Sequence, residues 1–452
     1  MAVKSQPSVA PARRCAYDVL RRVFEHDEFA DRALNARAAA LDRRDRALAM
    51  RLSYGAVQRK RTLDDFVERL AERDPARLDA PILAALRLGL YELCYLDAAP
   101  DRAVVADAVE LAKRSARAGH GLVNAVLRRA AREGREALLA DLRDDTPEHA
   151  AVMHSHPDWV AREWWEQLGA RDARALMAAG NEPSEFAVRA NTLVTDAPAL
   201  IDELRGRVPQ GAHLDPALPE AVVLDGAFDL QGSKLWQAGA CIAQSRAAMH
   251  VARALAPAEG ERVLDLCAAP GGKTTHLAAL MQARGQVVAI ERSRARAHEL
   301  AGTIARMRAE SVRVEVADAT IPRPAGERYD RVLVDPPCSG LGTLSARPDL
   351  RWRFQREDVA AMSATQVAIL SAGAQALRPG GVLVYSTCTI SSPENEHVIT
   401  QFLDSHANFA LDDLAAELPA YPVPRARAPG CVLTLPHRDR TAGFFIARLR
   451  RS

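Results

Sequence analysis

The chain has 452 residues, 48% of them hydrophobic and 26% charged, and carries a formal net charge of +2 at pH 7. That length allows two or three domains with substantial cores, and the composition excludes a disordered or fibrous chain. The near-balance of charge excludes a protein that holds nucleic acid through bulk basicity, although local arginine clusters can still do so. Seven cysteines lie scattered without CxxC pairs or histidines at metal spacing, so neither a disulfide framework nor a metal site is expected. Residues 1–14 lack the apolar core of a signal peptide, and no stretch is long enough to cross a bilayer. A reducing, cytoplasmic setting without a membrane partner follows as the expectation.

Residues 11–143 are rich in alanine, leucine, arginine and acids, with apolar residues at helical spacing. Helices are expected over 47–57, 81–95, 104–115 and 121–132, with Pro81 suited to a first turn. Together they predict an all-helical bundle. Basic residues recur at Arg43, Arg44, Arg46, Arg59, Lys60 and Arg61, and again at Arg128, Arg129 and Arg132. Interspersed acids make a solvated helical surface the plain explanation; a surface contacting an RNA backbone is the functional one.

Asp144-Asp145-Thr146-Pro147 reads as a boundary. A helix over 157–169 follows, and the spacing of Trp159, Trp164 and Trp165 predicts core packing. Residues 186–193 alternate apolar and polar like a strand, and proline- and glycine-rich stretches over 208–218 suggest the loops of a small α/β module. Residues 225–239 lead into the last part of the chain. No internal repeat or low-complexity tract is present.

Residues 263–267 form an apolar run with the length of a buried strand. It breaks into Pro270-Gly271-Gly272 and restarts as a helix over 274–280. A strand, a glycine turn and a helix make a nucleotide-type corner, where backbone can approach a ligand and helix N–H groups face it. A phosphate-binding loop competes, since Gly272-Lys273-Thr274 mimics its end, but that loop needs a glycine where Cys267 stands. A second strand, 287–291, ends in Glu291 about twenty residues after the turn, where a ribose-binding carboxylate belongs. Strands are expected over 312–317, ending before Asp318, over 331–335, ending at Asp335, and over 381–386. Helices over 293–310 and 357–377 lie between them. Strands alternating with helices predict a parallel sheet covered on both faces, with an adenosyl-type cofactor in the crevice at the strand ends.

Cys338 follows the strand at Asp335-Pro336-Pro337, and Cys388 follows the next strand at Ser386-Thr387. Cys15, Cys94, Cys241, Cys267 and Cys431 read as ordinary buried residues, Cys267 lining the turn through its backbone. Two cysteines at adjacent strand ends beside a methyl donor suggest one reaction. Carbon 5 of cytosine is a poor nucleophile until a thiolate adds to carbon 6 and turns the ring into an enamine. Asp335 can hydrogen-bond the ring nitrogens and stabilise the charge that builds up. A base must then take the carbon 5 proton so that the thiolate can leave. This chemistry does not choose between Cys338 and Cys388 as the nucleophile.

Asp265-Leu266-Cys267-Ala268-Ala269-Pro270-Gly271-Gly272-Lys273-Thr274 resembles the cofactor motif of the Nop2/Sun family of RNA 5-methylcytosine methyltransferases. Asp335-Pro336-Pro337-Cys338-Ser339-Gly340, with Arg347-Pro348-Asp349 and Trp352, resembles its fourth motif. Ser386-Thr387-Cys388-Thr389 with Glu394-Asn395-Glu396 resembles its sixth, and residues 443–449 resemble its last strand. Residues 121–128 are similar to the closing helix of the antitermination factor NusB and of the matching domain in Sun-type 16S rRNA methyltransferases. One departure is Ser245, where family members often carry an acid after the glutamine.

The resemblance implies a NusB-like all-α domain over 1–145, a small α/β linker module over 146–235 and a Rossmann-like class I methyltransferase domain over 236–452. It implies S-adenosyl-L-methionine as cofactor, contacted by Cys267, Ala268, Ala269, Pro270, Gly271, Gly272, Lys273, Glu291, Asp318 and Asp335. It assigns Cys388 as nucleophile and Cys338 to product release, with Asp335 as base and as the group that stabilises the ring. The expected activity is methylation of carbon 5 of one cytosine in 16S rRNA by a monomer, with a preference for RNA not yet assembled into a subunit because a flipped base must enter the crevice. The alternatives are the same chemistry on tRNA or 23S rRNA, and a non-enzymatic RNA-binding assembly or antitermination factor. A DNA methyltransferase is disfavoured because no target-recognition insert follows the fifth strand.

Overall fold

Apolar residues at a period of 3.6 dictate what the first third of the chain does. In the computed structural model, which describes residues 9–97, 99–423 and 429–452, this part is entirely helical. The reading of residues 1–8 as free of a leader lies outside the described residues. The helices expected over 47–57, 81–95, 104–115 and 121–132 are Arg43–Gln58, Ala80–Tyr95, Asp101–Ser115 and His120–Glu133. Asp42 caps the first, accepting from the Asp45 amide at 2.8 Å. Ala80–Tyr95 is buried along most of its length, which marks it as the central helix of the bundle. Gly55 lets it approach, because a Cβ there would stand 1.9 Å from the Tyr91 ring.

This unit comprises residues 1–182 together with Leu344–Arg353; the second comprises 183–343 and 354–452. The chain thus leaves the second unit after Thr343, lends ten residues to the first and returns. Helices Pro147–Met153, Asp158–Leu168 and Ala170–Ala179 belong to the first unit. Of the three tryptophans expected in the core, only Trp164 is fully buried; Trp159 and Trp165 are half-buried, because the helix covers the bundle with one face only.

The second unit holds two sheets. The smaller contains β1 (Ala187–Ala190), β2 (Ala212–Leu214), β3 (Ala221–Leu224) and β4 (Cys241–Ala243) in the order β2-β3-β1-β4. The strand expected over 186–193 is shorter and does not alternate: all four β1 residues are buried, Arg189 included. Both faces of this strand are covered, so the alternation read from sequence was not a burial pattern. The stretch 208–218, read as loops, also contains β2.

The larger sheet contains β5 (Arg262–Leu266), β6 (Gln286–Glu291), β7 (Val312–Val316), β8 (Tyr329–Val334), β9 (Leu377–Thr387), β10 (Phe409–Asp412), β11 (Val432–Leu433) and β12 (Phe445–Arg451). Its order is β10-β12-β9-β8-β5-β6-β7, with β11 beside β12. The five expected strands, β5 to β9, pair in parallel, while β12 runs antiparallel to β9. The fifth starts at Leu377 rather than 381, and a register shift opposite Tyr329/Arg331 absorbs the Pro379-Gly380-Gly381 bend. From β5 the chain moves out through β6 to β7 and returns to place β8 on the other side of β5. This reversal opens the ligand crevice at the carboxyl ends of β5 and β8.

Candidate active site

Register brings the site together. Val334 of β8 lies opposite Tyr385 of β9, so the chain emerging from each strand carries its cysteine to the same edge. Cys338 Sγ and Cys388 Sγ are 3.4 Å apart, within hydrogen-bond distance for sulfur, and both residues are partly accessible. The Cys388 thiol, burial, and the Glu394 and Asp335 charges all push the Cys338 thiol well above its ordinary range.

The turn after β5 is built for close approach. Cys267 takes a φ of 69° and Gly271 a φ of +103°. A Cβ on Gly271 would stand 2.8 Å from Leu300 Cδ1. The helix Gly272–Leu280 starts there and aims its free N–H groups at the crevice. Thr274 Oγ1 donates to the buried Asp265 at 2.6 Å, and burial pushes that carboxyl up to about 7. Burial also pushes Cys267 up to about 12, so its thiol is inert near neutral pH and it serves the turn through its backbone.

Lys273 Nζ donates to Asp335 Oδ2 at 2.8 Å, and Ser386 Oγ donates to Asp335 Oδ1 at 2.8 Å. Burial works against the Lys273 ammonium, but the attraction and hydrogen bond of Asp335 outweigh it and hold the ammonium above its ordinary value. Cys388 is among the negative groups that act on it. The same lysine lies 5.0 Å from the Phe444 ring centre.

Glu291 ends β6 and is buried. Its Oε1 accepts from the Ser293 amide at 2.9 Å, while Oε2 has no hydrogen-bond donor among the described residues, with Arg296 Nη1 3.4 Å away. A buried acceptor without a donor beside a glycine turn fits the hydroxyl pair of a ribose. Asp318 follows β7 and accepts from the Thr320 amide and hydroxyl, which hold its carboxyl low. The expected residues around the turn, Glu291, Asp318, Asp335, Cys338 and Cys388 therefore all stand at the carboxyl ends of β5 to β9.

Several residues of this edge carried no role in the sequence reading. Arg189 of β1 donates to Thr275 Oγ1 at 2.9 Å, the Gly272 carbonyl at 3.3 Å and Gln244 Oε1 at 2.8 Å. The small sheet thereby reaches the cofactor turn. Behind the cysteines, Asn395 accepts from Thr387 Oγ1 at 2.5 Å and donates to the Thr389 carbonyl at 3.0 Å, holding both neighbours of Cys388. Gln366 is fully buried in the helix Arg356–Ala376 and donates to the Pro337 carbonyl at 2.9 Å. A glutamine amid the apolar residues Val367, Ile369 and Leu370 of that helix was the available sign of the contact.

Among the basic residues weighed for RNA, Arg43, Arg44, Arg46, Arg128 and Arg132 are exposed. Lys60 pairs with Asp64 at 3.3 Å and covers the Trp352 ring, and burial holds its ammonium below the ordinary value. It belongs to the packing. Among the described residues, no group of three or more His, Cys, Asp or Glu could hold a metal ion, and no helix is long and apolar enough to cross a membrane.

The family model described as 16S rRNA methyltransferase RsmB/F matches residues 252–450. The NusB family matches 10–132, and a ferredoxin-like domain of RsmF/B-like methyltransferases matches 156–231. The chain is 33% identical over 448 residues to the probable ribosomal RNA small subunit methyltransferase B of Bacillus subtilis, covering 97% of this chain and 98% of that one. It is 37% identical to the ribosomal RNA small subunit methyltransferase B of Thermus thermophilus, over 93% and 92% of the two chains. The crystal structure of PH0851 superposes with a TM-score of 0.82 at 26% identity, over 99% of this chain and 100% of that one. NSun6 from Pyrococcus horikoshii, solved with SFG, shares the fold at a TM-score of 0.59 and 24% identity, over 65% and 98%.

Proposed function

Because the chain belongs to the family of 16S rRNA methyltransferases RsmB/F, we propose that it methylates carbon 5 of one cytosine in 16S rRNA through a covalent adduct on Cys388. The observation that carries this reading is the pair of thiols 3.4 Å apart beside a glycine turn. A methyltransferase of another atom has no use for two cysteines there. S-adenosyl-L-methionine, when bound, supplies an electrophilic methyl group. Gly271, Gly272 and the first N–H groups of the helix Gly272–Leu280 would hold it, together with the carboxylates of Glu291 and Asp318.

The protein's own groups carry the rest. Cys388 Sγ, as thiolate, bonds to carbon 6 of a flipped cytosine, and the displaced electron pair makes carbon 5 the attacking atom. Asp335 faces the ring and stabilises the charge that develops, with Lys273 and Ser386 fixing its orientation. After transfer, Asp335 takes the carbon 5 proton as base, the electron pair returns to the ring and Cys388 leaves as thiolate. Cys338 assists that release. The exposed arginines at 43, 44, 46, 128 and 132 are offered as contacts to the RNA backbone. The division at 145 and 235 is proposed as the functional one: RNA binding, linking, and catalysis.

The test is incubation with unmodified 16S transcript and methyl-labelled S-adenosyl-L-methionine. Label is expected at carbon 5 of one cytosine, absent with Cys388→Ala, and trapped as a stalled protein–RNA adduct with Cys338→Ala. Label on tRNA or 23S rRNA alone would keep the chemistry and move the substrate. Binding of cofactor and RNA without label on any RNA would make an assembly factor the better reading.

A further inference from the structure

Two thiols of equal intrinsic acidity stand 3.4 Å apart, and repulsion prevents both from ionising. Something must decide which keeps the proton. The backs of the two cysteine loops meet on Glu394, a fully buried carboxylate. Its Oε1 accepts from the Ser339 amide at 2.9 Å and from Gln366 Nε2 at 3.0 Å, and its Oε2 accepts from Ser339 Oγ at 2.5 Å. Each of these three contacts is donated to the carboxylate, as an ionised carboxylate takes them. Ser339 has one hydroxyl proton and gives it to Glu394, so the 2.7 Å contact between Ser339 Oγ and Thr389 Oγ1 is donated by Thr389. The chain of donors thus runs from the residue after Cys388, through the residue after Cys338, to Glu394.

The charges around the pair are unequal. Glu394 is anchored through Ser339 on the Cys338 side, and Glu394 and Asp335 both act on Cys338. Cys388, in turn, is among the negative groups that act on the Lys273 ammonium, so this cation favours a thiolate at Cys388. Tyr385, behind the pair, donates its hydroxyl to the Glu394 carbonyl at 2.6 Å; burial first, then Cys338, Glu394 and Asp335, keep it a neutral phenol. We infer that Glu394 is a positioning residue that keeps the proton of the thiol pair on Cys338 and so leaves Cys388 as the thiolate. Cys338 then donates its S–H to Cys388 while the site waits for substrate. The inference rests on the reading of Cys388 as nucleophile.

Glu394→Gln is the discriminating variant because its shape fits the same network. An amide nitrogen in the place of Oε2 donates to Ser339 Oγ, Ser339 donates onward to Thr389, and the remaining oxygen still accepts from the Ser339 amide and Gln366. Only the charge is lost. The experiment alkylates the full-length protein with iodoacetamide across pH 6 to 10 and reads each cysteine by peptide mass spectrometry.

In the wild type, Cys388 is expected to react at lower pH than Cys338. In Glu394→Gln the Cys338 midpoint should fall and the preference for Cys388 should shrink by about tenfold, the size of one lost charge at short range in a partly buried site. Ser339→Ala, which removes the hydroxyl link and keeps the charge, should retain the order. Glu394→Asp should retain it too, and serves if the glutamine variant does not fold. Unchanged midpoints in Glu394→Gln, or an equal collapse of the order in Ser339→Ala, would overturn the inference. Failure of the underlying reading looks different: Cys388→Ala would then still transfer label to RNA.

Discussion

At the scale of single residues, the cofactor turn depends on backbone conformation as much as on side chains. Gly271 sits at φ +103° with Leu300 Cδ1 and Thr303 Cγ2 where a Cβ would go. Gly271→Ala is therefore expected to cost about 1–3 kcal/mol in urea unfolding and to weaken S-adenosyl-L-methionine binding in calorimetry. Lys273 is the other single residue on which the site turns. Lys273→Met leaves Asp335 half-buried without its cation, so methyl transfer should fall by about a hundredfold while RNA retention on a filter changes little. Both residues were legible in the sequence because a strand, a glycine turn and a helix follow one another within a dozen positions. Glu394 was legible only as part of a motif: its partners lie 55 and 28 residues away, and no local pattern reports such contacts.

At the scale of elements, the helix Gly272–Leu280 is held from behind as well as presented in front. His276 Nε2 stands 2.9 Å from Glu220 Oε1, and Arg253 donates to the same carboxylate at 2.9 and 2.5 Å. Burial would push Glu220 up, but the close approach of His276 and the hydrogen bonds from Arg253 outweigh it and hold it well below the usual carboxylate range. Burial pushes His276 down from 6.5 to about 4. The folded protein thus keeps this ring neutral, whereas the unfolded chain takes up a proton near pH 6.5. Stability from His276 is present above that pH and is lost as pH falls towards 4, by about 3 kcal/mol over the window. Urea unfolding at pH 7, 5.5 and 4.5 should show that slope, and His276→Gln should flatten it.

Elements also show why some sequence readings succeeded. Strands β5 to β9 are buried parallel strands, which appear as apolar runs between turn signals, and all five were found within a few residues. The short β2, β10 and β11 went unread because two to four residues carry too little pattern. For β1 the pattern misled, since Arg189 looks like a solvent-facing position and is instead buried against the cofactor turn.

At the scale of the whole molecule, the ten residues Leu344–Arg353 join the first unit although they lie between catalytic motifs. Arg351 is fully buried there and donates to the carbonyls of Ser155 at 2.8 Å, Gly180 at 2.9 Å and Gln58 at 3.2 Å, and to Asn181 Oδ1 at 3.1 Å. Trp352 Nε1 donates to the Val57 carbonyl at 2.7 Å. Arg351→Met leaves several buried acceptors without a donor and should lower stability by about 3–5 kcal/mol, seen as an earlier thermal midpoint of the full chain. A fragment starting at Pro183 would present Leu344, Leu350 and Trp352 without their partners, and is expected to aggregate where the full chain does not.

What the sequence determined by itself was the menu: a helical bundle from 3.6-residue periodicity, a parallel sheet from apolar runs, and a cofactor turn and two cysteines from motifs at strand ends. These are local properties, written in neighbouring residues. What only the tertiary structure decided was the pairing: Cys338 against Cys388 through the β8–β9 register, Arg189 against the cofactor turn, Glu394 beneath both cysteine loops, and Arg351 within the helical unit. Each of these joins residues tens to hundreds of positions apart, and burial makes them matter, because a charge or donor removed from water must find its partner wherever the fold has brought one.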